Sequence, residues 1–135
     1  MSHFSRIRTR LVDADALVSA LKELGFNHVE LHEQAQHLYG YLGDVRQQTA
    51  EVIIRRAHIG KASNDIGFKR GADGGFDAII SEYDRTKYSQ KWLDKLTQIY
   101  SYNVTRSNLI KQGFAVVTEE KAGDESIHLV LRRMA

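Results

Sequence analysis

The chain has 135 residues, of which 42% are hydrophobic and 27% charged, a balance typical of a folded soluble domain rather than a disordered segment. Cysteine is absent, which excludes a disulfide framework and a thiolate zinc site, and the net charge of +2 permits an acidic partner without requiring one. No stretch approaches the roughly 18 apolar residues of a membrane span. We therefore expect a single domain over residues 1–135, in a reducing, cytoplasmic compartment, with no cofactor and no membrane partner.

The first predicted elements are a strand and a helix. Residues 4–12 alternate between two faces, and the face that would meet water carries Arg6, Arg8 and Arg10. Asp13 is a typical helix N-cap, because its carboxylate can accept the free amides of a first turn. Apolar residues then recur at helical spacing until Gly25, which suits a left-handed helix end.

The rest of the chain predicts further strands and one long helix. The helix is predicted to begin after Ser89 as its N-cap and to stop at Gly113. The motif RGADGG predicts a hairpin turn between two of the strands. The predicted strands share apolar residues bounded by turn-forming residues, and lie around residues 29–31, 49–57, 66–68, 76–81, 115–119 and 126–133.

Two segments of the chain resemble each other. LKELGFNHV at residues 21–29 and LIKQGFAVV at residues 109–117 share Leu, Gly, Phe and Val in register, each after a predicted strand and helix. This echo indicates a duplicated β-α-β-β unit, although a common way of ending a helix is the alternative explanation. We predict an α+β fold in which one antiparallel sheet carries the two main helices on one face, because each helix must bury its apolar stripe. The opposite face would be free to meet a partner.

The stretch HVELHEQAQH raises the question of a metal site. His28, His32 and His37 are the candidate ligands, since alternate residues of a strand point the same way and imidazole suits zinc or nickel. The pattern H-E-x-x-x-H is one residue longer than the metalloprotease motif H-E-x-x-H. We therefore favour a solvated strand face and keep a metal site as the alternative.

Motifs for other chemistries are incomplete. HIGKAS resembles the end of a phosphate-binding loop, but Arg55 stands where that loop needs its first glycine. RGADGG precedes a predicted strand rather than the helix that a dinucleotide-binding turn requires. No serine lies in a G-x-S-x-G motif, and the carboxylates are scattered. We identify no catalytic residues and expect a protein that is not an enzyme.

Arginines and tyrosines supply the candidate binding residues. An arginine-bearing sheet face, with Arg132 joining the arginines of the first strand if the two strands are neighbours, could hold phosphates or an acidic protein surface. A solvated face with cross-strand carboxylate partners is the favoured interpretation of the same arginines. We place Trp92 and Tyr100 in the core, and we expect Tyr88 and Tyr102 to be exposed anchors for a protein partner.

Several long motifs carry a family resemblance. They are MSHFSRIRTRLVDADALVSALKELGF, DIGFKR with the following GGFDAII, WLDKLTQIYSYNVTRSNLIKQGF and the terminal SIHLVLRR. With these motifs the chain resembles the cyanobacterial and algal-plastid family called hypothetical chloroplast reading frame thirty-five, a domain of unknown function. The resemblance implies a soluble protein, cytoplasmic or, if plastid-encoded, stromal, and it implies no catalytic residues.

Three functions are consistent with these sequence features. The leading hypothesis is a non-enzymatic adaptor or regulatory module that binds a protein partner through its open sheet face and tyrosines. The second is nucleic-acid binding through the arginine face. The third is a metal-dependent enzyme built on His28, His32 and His37.

Overall fold

The computed structural model describes the backbone of residues 3–121 and 127–133, and the side chains of residues 3–115, 132 and 133. Two short 3-10 helices, Arg56–His58 and Asp84–Thr86, interrupt the loops. The main elements in chain order are β1 Phe4–Arg8, α1 Ala14–Glu23, β2 Glu30–Tyr39, β3 Val45–Ile54, β4 Ile66–Arg70, β5 Phe76–Ser81, α2 Gln90–Lys111, β6 Phe114–Lys121 and β7 Ile127–Arg133.

The first five strands form one antiparallel sheet in the order β1-β5-β4-β3-β2. β1 and β2 are therefore its edges. The hairpin predicted at RGADGG joins β4 to β5, where Phe68 faces Ala78 and Lys69 faces Asp77 in register. The sheet and the two helices confirm the predicted α+β fold.

Both helices pack against one face of this sheet. Leu17 and Leu21 of α1 and Leu96 of α2 lie in one buried cluster with sheet residues such as Phe68 and Ile80, and all five are fully buried. The apolar stripes of both helices thus meet the sheet as predicted. Each such side chain contributes roughly 1.5–3 kcal/mol through its removal from water.

Local signals set the ends of α1. Asp13 Oδ1 accepts a hydrogen bond from the amide of Ala16 at 2.9 Å, as predicted for the N-cap. The hydroxyl of Tyr100 accepts from the amides of Val12 and Asp13 at 3.0 and 2.8 Å, which ties the start of α1 to α2. Gly25 has a φ of +103° and ends the helix.

Ser89 is the N-cap residue of α2, but its side chain makes no capping hydrogen bond.

The opposite face of the sheet is only partly open, which corrects the expectation of a free face. Leu38, Ala50, Ile53 and Ile79 form a second small buried cluster there, with Phe4 packed against it. The β2–β3 hairpin reaches across this face, and the guanidinium of its residue Arg46 lies 5.0 Å from the ring centre of Phe4 on β1. The β2–β3 pairing contains register shifts, and irregularities of this kind bend a strand.

Gly67 of β4 permits the close approach of the hairpin. A Cβ atom at this position would lie 2.7 Å from the Cβ of Ala50 and 3.0 Å from a methyl group of Leu38. Because such distances are too short for carbon atoms, any larger residue would push the hairpin away from the sheet.

The order strand, helix, strand, strand occurs at β1-α1-β2-β3 and again at β5-α2-β6-β7. The two sets do not share one sheet, however, since β6 and β7 pair with each other in a separate two-stranded sheet. The duplication of the unit stays a prediction.

Candidate functional site

The turn between β2 and β3 exposes a group of large apolar side chains. We call residues 39–45 the hairpin tip, in which Leu42 is 76% exposed and Val45 62% exposed. Tyr39 and Tyr41 add two aromatic rings, each more than a third exposed. Four large apolar side chains so close together on the surface are typical of a contact site for another molecule.

The backbone of the hairpin tip is held by its own turn. The amide of Gly40 donates to the carbonyl of Asp44 at 2.8 Å, and the amide of Gly43 donates to the carbonyl of Gly40 at 2.9 Å. Gly43 has a φ of +79°, which side-chain-bearing residues rarely adopt. The tip therefore has a defined shape in the free protein.

Two buried neighbours, Asn64 and Asp65, fix the hairpin tip to the rest of the molecule. Asp65 Oδ2 accepts from the amide of Tyr39 at 2.7 Å, and its own amide donates to the carbonyl of Tyr39 at 3.0 Å. The side-chain oxygen of Asn64 accepts from the amide of Tyr41 at 3.0 Å. Both anchoring residues are fully buried. Polar groups enclosed in this way are costly to disrupt.

Asp65 is also the centre of an ion-pair network. Its carboxylate accepts from Arg55 Nη1 at 2.8 Å and from the amide of Arg56 at 2.7 Å. The same Arg55 guanidinium donates to both carboxylate oxygens of Glu30 at 2.9 and 3.0 Å, and it lies 5.1 Å from the ring centre of Tyr39. Arg55 thus links the edge strand, the buried carboxylate and the exposed aromatic ring.

The ion-pair network shifts the pKa values of Arg55 and Glu30. Burial lowers the pKa of Arg55, but the hydrogen bonds to Glu30 and Asp65 outweigh it, so this pKa is raised above the ordinary value. The hydrogen bond from Arg55 lowers the pKa of Glu30, against the opposing effect of burial, and the hydrogen bond with His32 lowers it further. Glu30 is therefore charged at neutral pH.

Asn64 continues into a second buried group with Ser81 and Asp84. The Asn64 amide donates to Asp84 Oδ2 at 2.9 Å, and its side-chain Nδ2 donates to the hydroxyl of Ser81 at 2.9 Å. The Ser81 hydroxyl donates to the same carboxylate at 2.8 Å. These bonds join the hairpin tip to β5 and the 3-10 helix that follows it.

The structure does not bring the three candidate histidines together. The ring of His28 stacks on His58 at 4.5 Å, and His32 Nε2 lies 2.7 Å from Glu30 Oε1. The Nδ1 atom of His37 lies 2.8 Å from a backbone carbonyl of β3. In the part of the chain that the structure describes, no group of three His, Cys, Asp or Glu residues is arranged to hold a metal ion.

The candidate arginines are exposed, but they do not form one surface. Arg6 and Arg8 lie on the edge strand β1, and Arg6 Nε donates to Asp77 Oδ2 at 2.7 Å. Arg10 follows the strand and lines a cleft against α2 with Arg8. Arg132 lies on β7, in the other sheet, so the condition under which it would join the arginines of β1 is not met.

The two candidate tyrosines are not exposed anchors. Tyr88 is 4% exposed and packs edge-on against Trp92, with their ring centres 5.0 Å apart. Tyr102 is half-buried, and its hydroxyl is enclosed. The expected exposure of Tyr88 and Tyr102 is wrong, because the residue spacing around them does not show which side chains face the core. Sequence reasoning missed Tyr39 and Tyr41 as exposed residues, and the available signal was Gly40 and Gly43, which mark a tight turn.

The comparisons with known proteins concern the whole chain. A family model described as a protein of unknown function, DUF1257, matches residues 20–130. The chain belongs to this family. It is also 29% identical over 134 residues to the uncharacterized protein ycf35 of Cyanophora paradoxa and 30% identical over 136 residues to that of Pyropia yezoensis, with 98% of each chain covered. The protein of the same name in Guillardia theta is 29% identical, again over 98% of each chain. No solved structure matches.

The DUF1257 match includes the hairpin tip and its anchors Asn64 and Asp65, whereas Arg6 and Arg132 lie outside it. The family match and the ycf35 relatives confirm the resemblance to the plastid family. They assign no activity. Among the described residues, no helix is both long and apolar enough to cross a membrane.

Proposed function

We propose that this protein is a non-enzymatic protein-binding module whose contact surface is the hairpin tip. The observation that carries this proposal is the exposure of Leu42 and Val45 beside Tyr39 and Tyr41 on a turn fixed from beneath by Asn64 and Asp65. Tyrosine is one of the residues that supply most of the binding energy at protein interfaces, and exposed apolar side chains that lie together mark interaction sites.

The rigidity of the hairpin tip supports the same function. A surface that must be ordered when it binds loses affinity to that ordering, so a turn already held in shape binds more tightly. The tip is connected through hydrogen bonds to the buried Asp65 and, through Asn64, to Asp84. This arrangement presents a fixed apolar surface to a partner.

The buried carboxylates do not favour catalysis. Asp65 and Asp84 are enclosed, at 0% and 3% exposure, and their oxygens accept hydrogen bonds from Arg55, Ser81 and backbone amides. A general acid or base must reach its substrate within hydrogen-bonding distance. These two groups stabilise the loops instead.

Site-specific photo-cross-linking tests the proposed contact surface. A photoreactive phenylalanine analogue at Leu42 should attach to one discrete protein in cells that natively produce this chain. The same analogue at Ile110, which is 42% exposed on α2, is the matched control and should give no such product. Equal products from both positions, or none from Leu42, would contradict the proposal.

Nucleic-acid binding through Arg6, Arg8 and Arg10 is the alternative function, and it is less well supported. The Arg6 guanidinium is already paired with Asp77, and Arg132 is on the other sheet. An affinity for nucleic acid that falls steeply with salt and is lost in the triple alanine variant would favour it.

For the compartment we propose the cytoplasm, or the stroma where the gene is plastid-encoded.

A further inference from the structure

A groove lies beside the hairpin tip, between the segments 59–63 and 83–88. Its volume is about 680 Å³. It is connected to the tip through Asn64, which bonds to the backbone of Tyr41 on one side and to the carboxylate of Asp84, a lining residue, on the other. A partner seated on the tip would therefore be adjacent to the groove.

The walls of the groove combine apolar and cationic groups. Tyr83 is 56% exposed, and the half-buried Ile59 contributes further apolar surface. Lys61 and Lys87 also line the groove, and both are exposed. An exposed ammonium group attracts carboxylates, most strongly when an apolar surface beside it limits water.

The acidic residue that lines the groove is buried, and one of its carboxylate oxygens is bonded within the protein. Asp84 is the acidic lining residue, and it is 3% exposed with its Oδ2 bonded to the Asn64 amide and the Ser81 hydroxyl. The opposite wall is braced by Arg56, whose guanidinium donates to the carbonyls of Ser63 and Lys61 at 3.0 and 2.6 Å. A third cation thus lies behind the same wall.

We propose that this groove receives an acidic segment of the partner protein. An apolar side chain of that segment packs against Tyr83 and Ile59, while its carboxylates pair with Lys61 and Lys87. The inference rests on the proposed function, because it specifies the chemistry of the partner that the hairpin tip contacts. Charge complementarity of this kind selects partners and speeds their association.

Labelled peptides test this inference directly. The probes are fluorescein-labelled six-residue peptides with a central Leu-Trp pair flanked by two glutamates on each side, and counterparts with glutamine or lysine in place of glutamate. Fluorescence anisotropy should show the tightest binding for the glutamate peptide and the weakest for the lysine peptide. Added salt should reduce the difference, because the lysines are exposed.

Charge-reversal variants assign the effect to the groove. Lys61→Glu with Lys87→Glu should weaken binding of the glutamate peptide by about tenfold or more and strengthen that of the lysine peptide. Lys91→Glu with Lys95→Glu, two exposed positions on α2, makes the same change in net charge and should leave both affinities unchanged. Thermal unfolding of both variants checks that each is folded.

The outcomes separate this inference from the proposed function. Equal affinity for the three peptides, no binding at millimolar peptide, or equal effects of the two charge reversals would overturn the acidic specificity. A single-stranded oligonucleotide that binds the groove more tightly than the glutamate peptide would also overturn it. If the analogue at Leu42 forms no cross-link while the glutamate peptide still binds, the hairpin tip is rejected as the contact surface. The acidic specificity of the groove then still stands.

Discussion

The hairpin tip and the edge strand β1 are both exposed, but they are built in opposite ways. The tip exposes Leu42 and Val45 on a backbone held by the buried side chains of Asn64 and Asp65. The edge strand exposes Arg6, which is paired with Asp77 on the neighbouring strand. Charged side chains are the ordinary covering of a sheet edge, whereas exposed apolar groups above buried polar anchors indicate a binding surface.

Removal of the buried anchor should have the largest effect. Asp65→Ala removes one of the acceptors of Arg55 and the acceptor of the amides of Tyr39 and Arg56. We expect a loss of about 2–6 kcal/mol in the free energy of unfolding, because two backbone amides lose their acceptor at about 1–3 kcal/mol each. Urea unfolding followed by circular dichroism measures it. A loss as small as that of a surface pair would show that the tip is not held from beneath.

A larger residue at Gly67 should separate the hairpin from the sheet. Gly67→Ala places a methyl group against Ala50, and we expect a cost of about 1–3 kcal/mol in the free energy of unfolding. Gly75→Ala is the control, since the nearest atom to an added Cβ there is 3.5 Å away. Thermal unfolding compares the two, and equal shifts would contradict the close crossing at Gly67.

Loss of the ion pair between Arg6 and Asp77 at the sheet edge should change the free energy of unfolding little. Arg6→Ala or Asp77→Ala removes an ion pair whose arginine side chain is 57% exposed. We expect a change of about 0–1 kcal/mol in the free energy of unfolding, further reduced at high salt. The same urea series measures it. A loss equal to that of Asp65→Ala would remove the contrast between the two regions.

Glu30 should give the network a pH dependence. Because the folded-state pKa is lowered from the ordinary 4.5, the unfolded chain binds the proton more readily, so this contribution to stability is present above pH 4.5. It is lost as the pH falls through the lower, folded-state pKa. The stability advantage over Glu30→Gln should therefore shrink in acid. Glu33→Gln, at an exposed position of the same strand, should retain the acid dependence of the parent.

Local signals in the sequence predicted the parts of the fold that depend on neighbouring residues. Asp13 and Gly25 mark the ends of α1, and the glycines of RGADGG mark the turn between β4 and β5, because each satisfies a backbone requirement within a few residues. The separation of β6 and β7 from the main sheet and the crossing of the hairpin at Gly67 depend on how distant segments meet. No local pattern encodes those contacts.

The candidate site was harder to predict for the same reason. Tyr88 was expected at the surface, but the sequence around it does not show that Phe26 and Trp92 enclose it. The sequence does not distinguish Leu42, since an apolar residue in a turn gives the same pattern whether it is buried or exposed. Its importance follows from the buried anchors beneath it, which bring residues 64 and 65 to residues 39 and 41.

The most direct test of the hairpin tip measures partner binding and stability in the same variant. Leu42→Ser with Val45→Ser should reduce affinity for the cross-linked partner by roughly tenfold or more, as loss of central apolar contacts does. Its free energy of unfolding should stay within about 0.5 kcal/mol of the parent, because both side chains are exposed. Val12→Ser with Ile110→Ser, two exposed apolar positions elsewhere, should leave affinity unchanged. Undiminished binding by the tip variant would contradict the account.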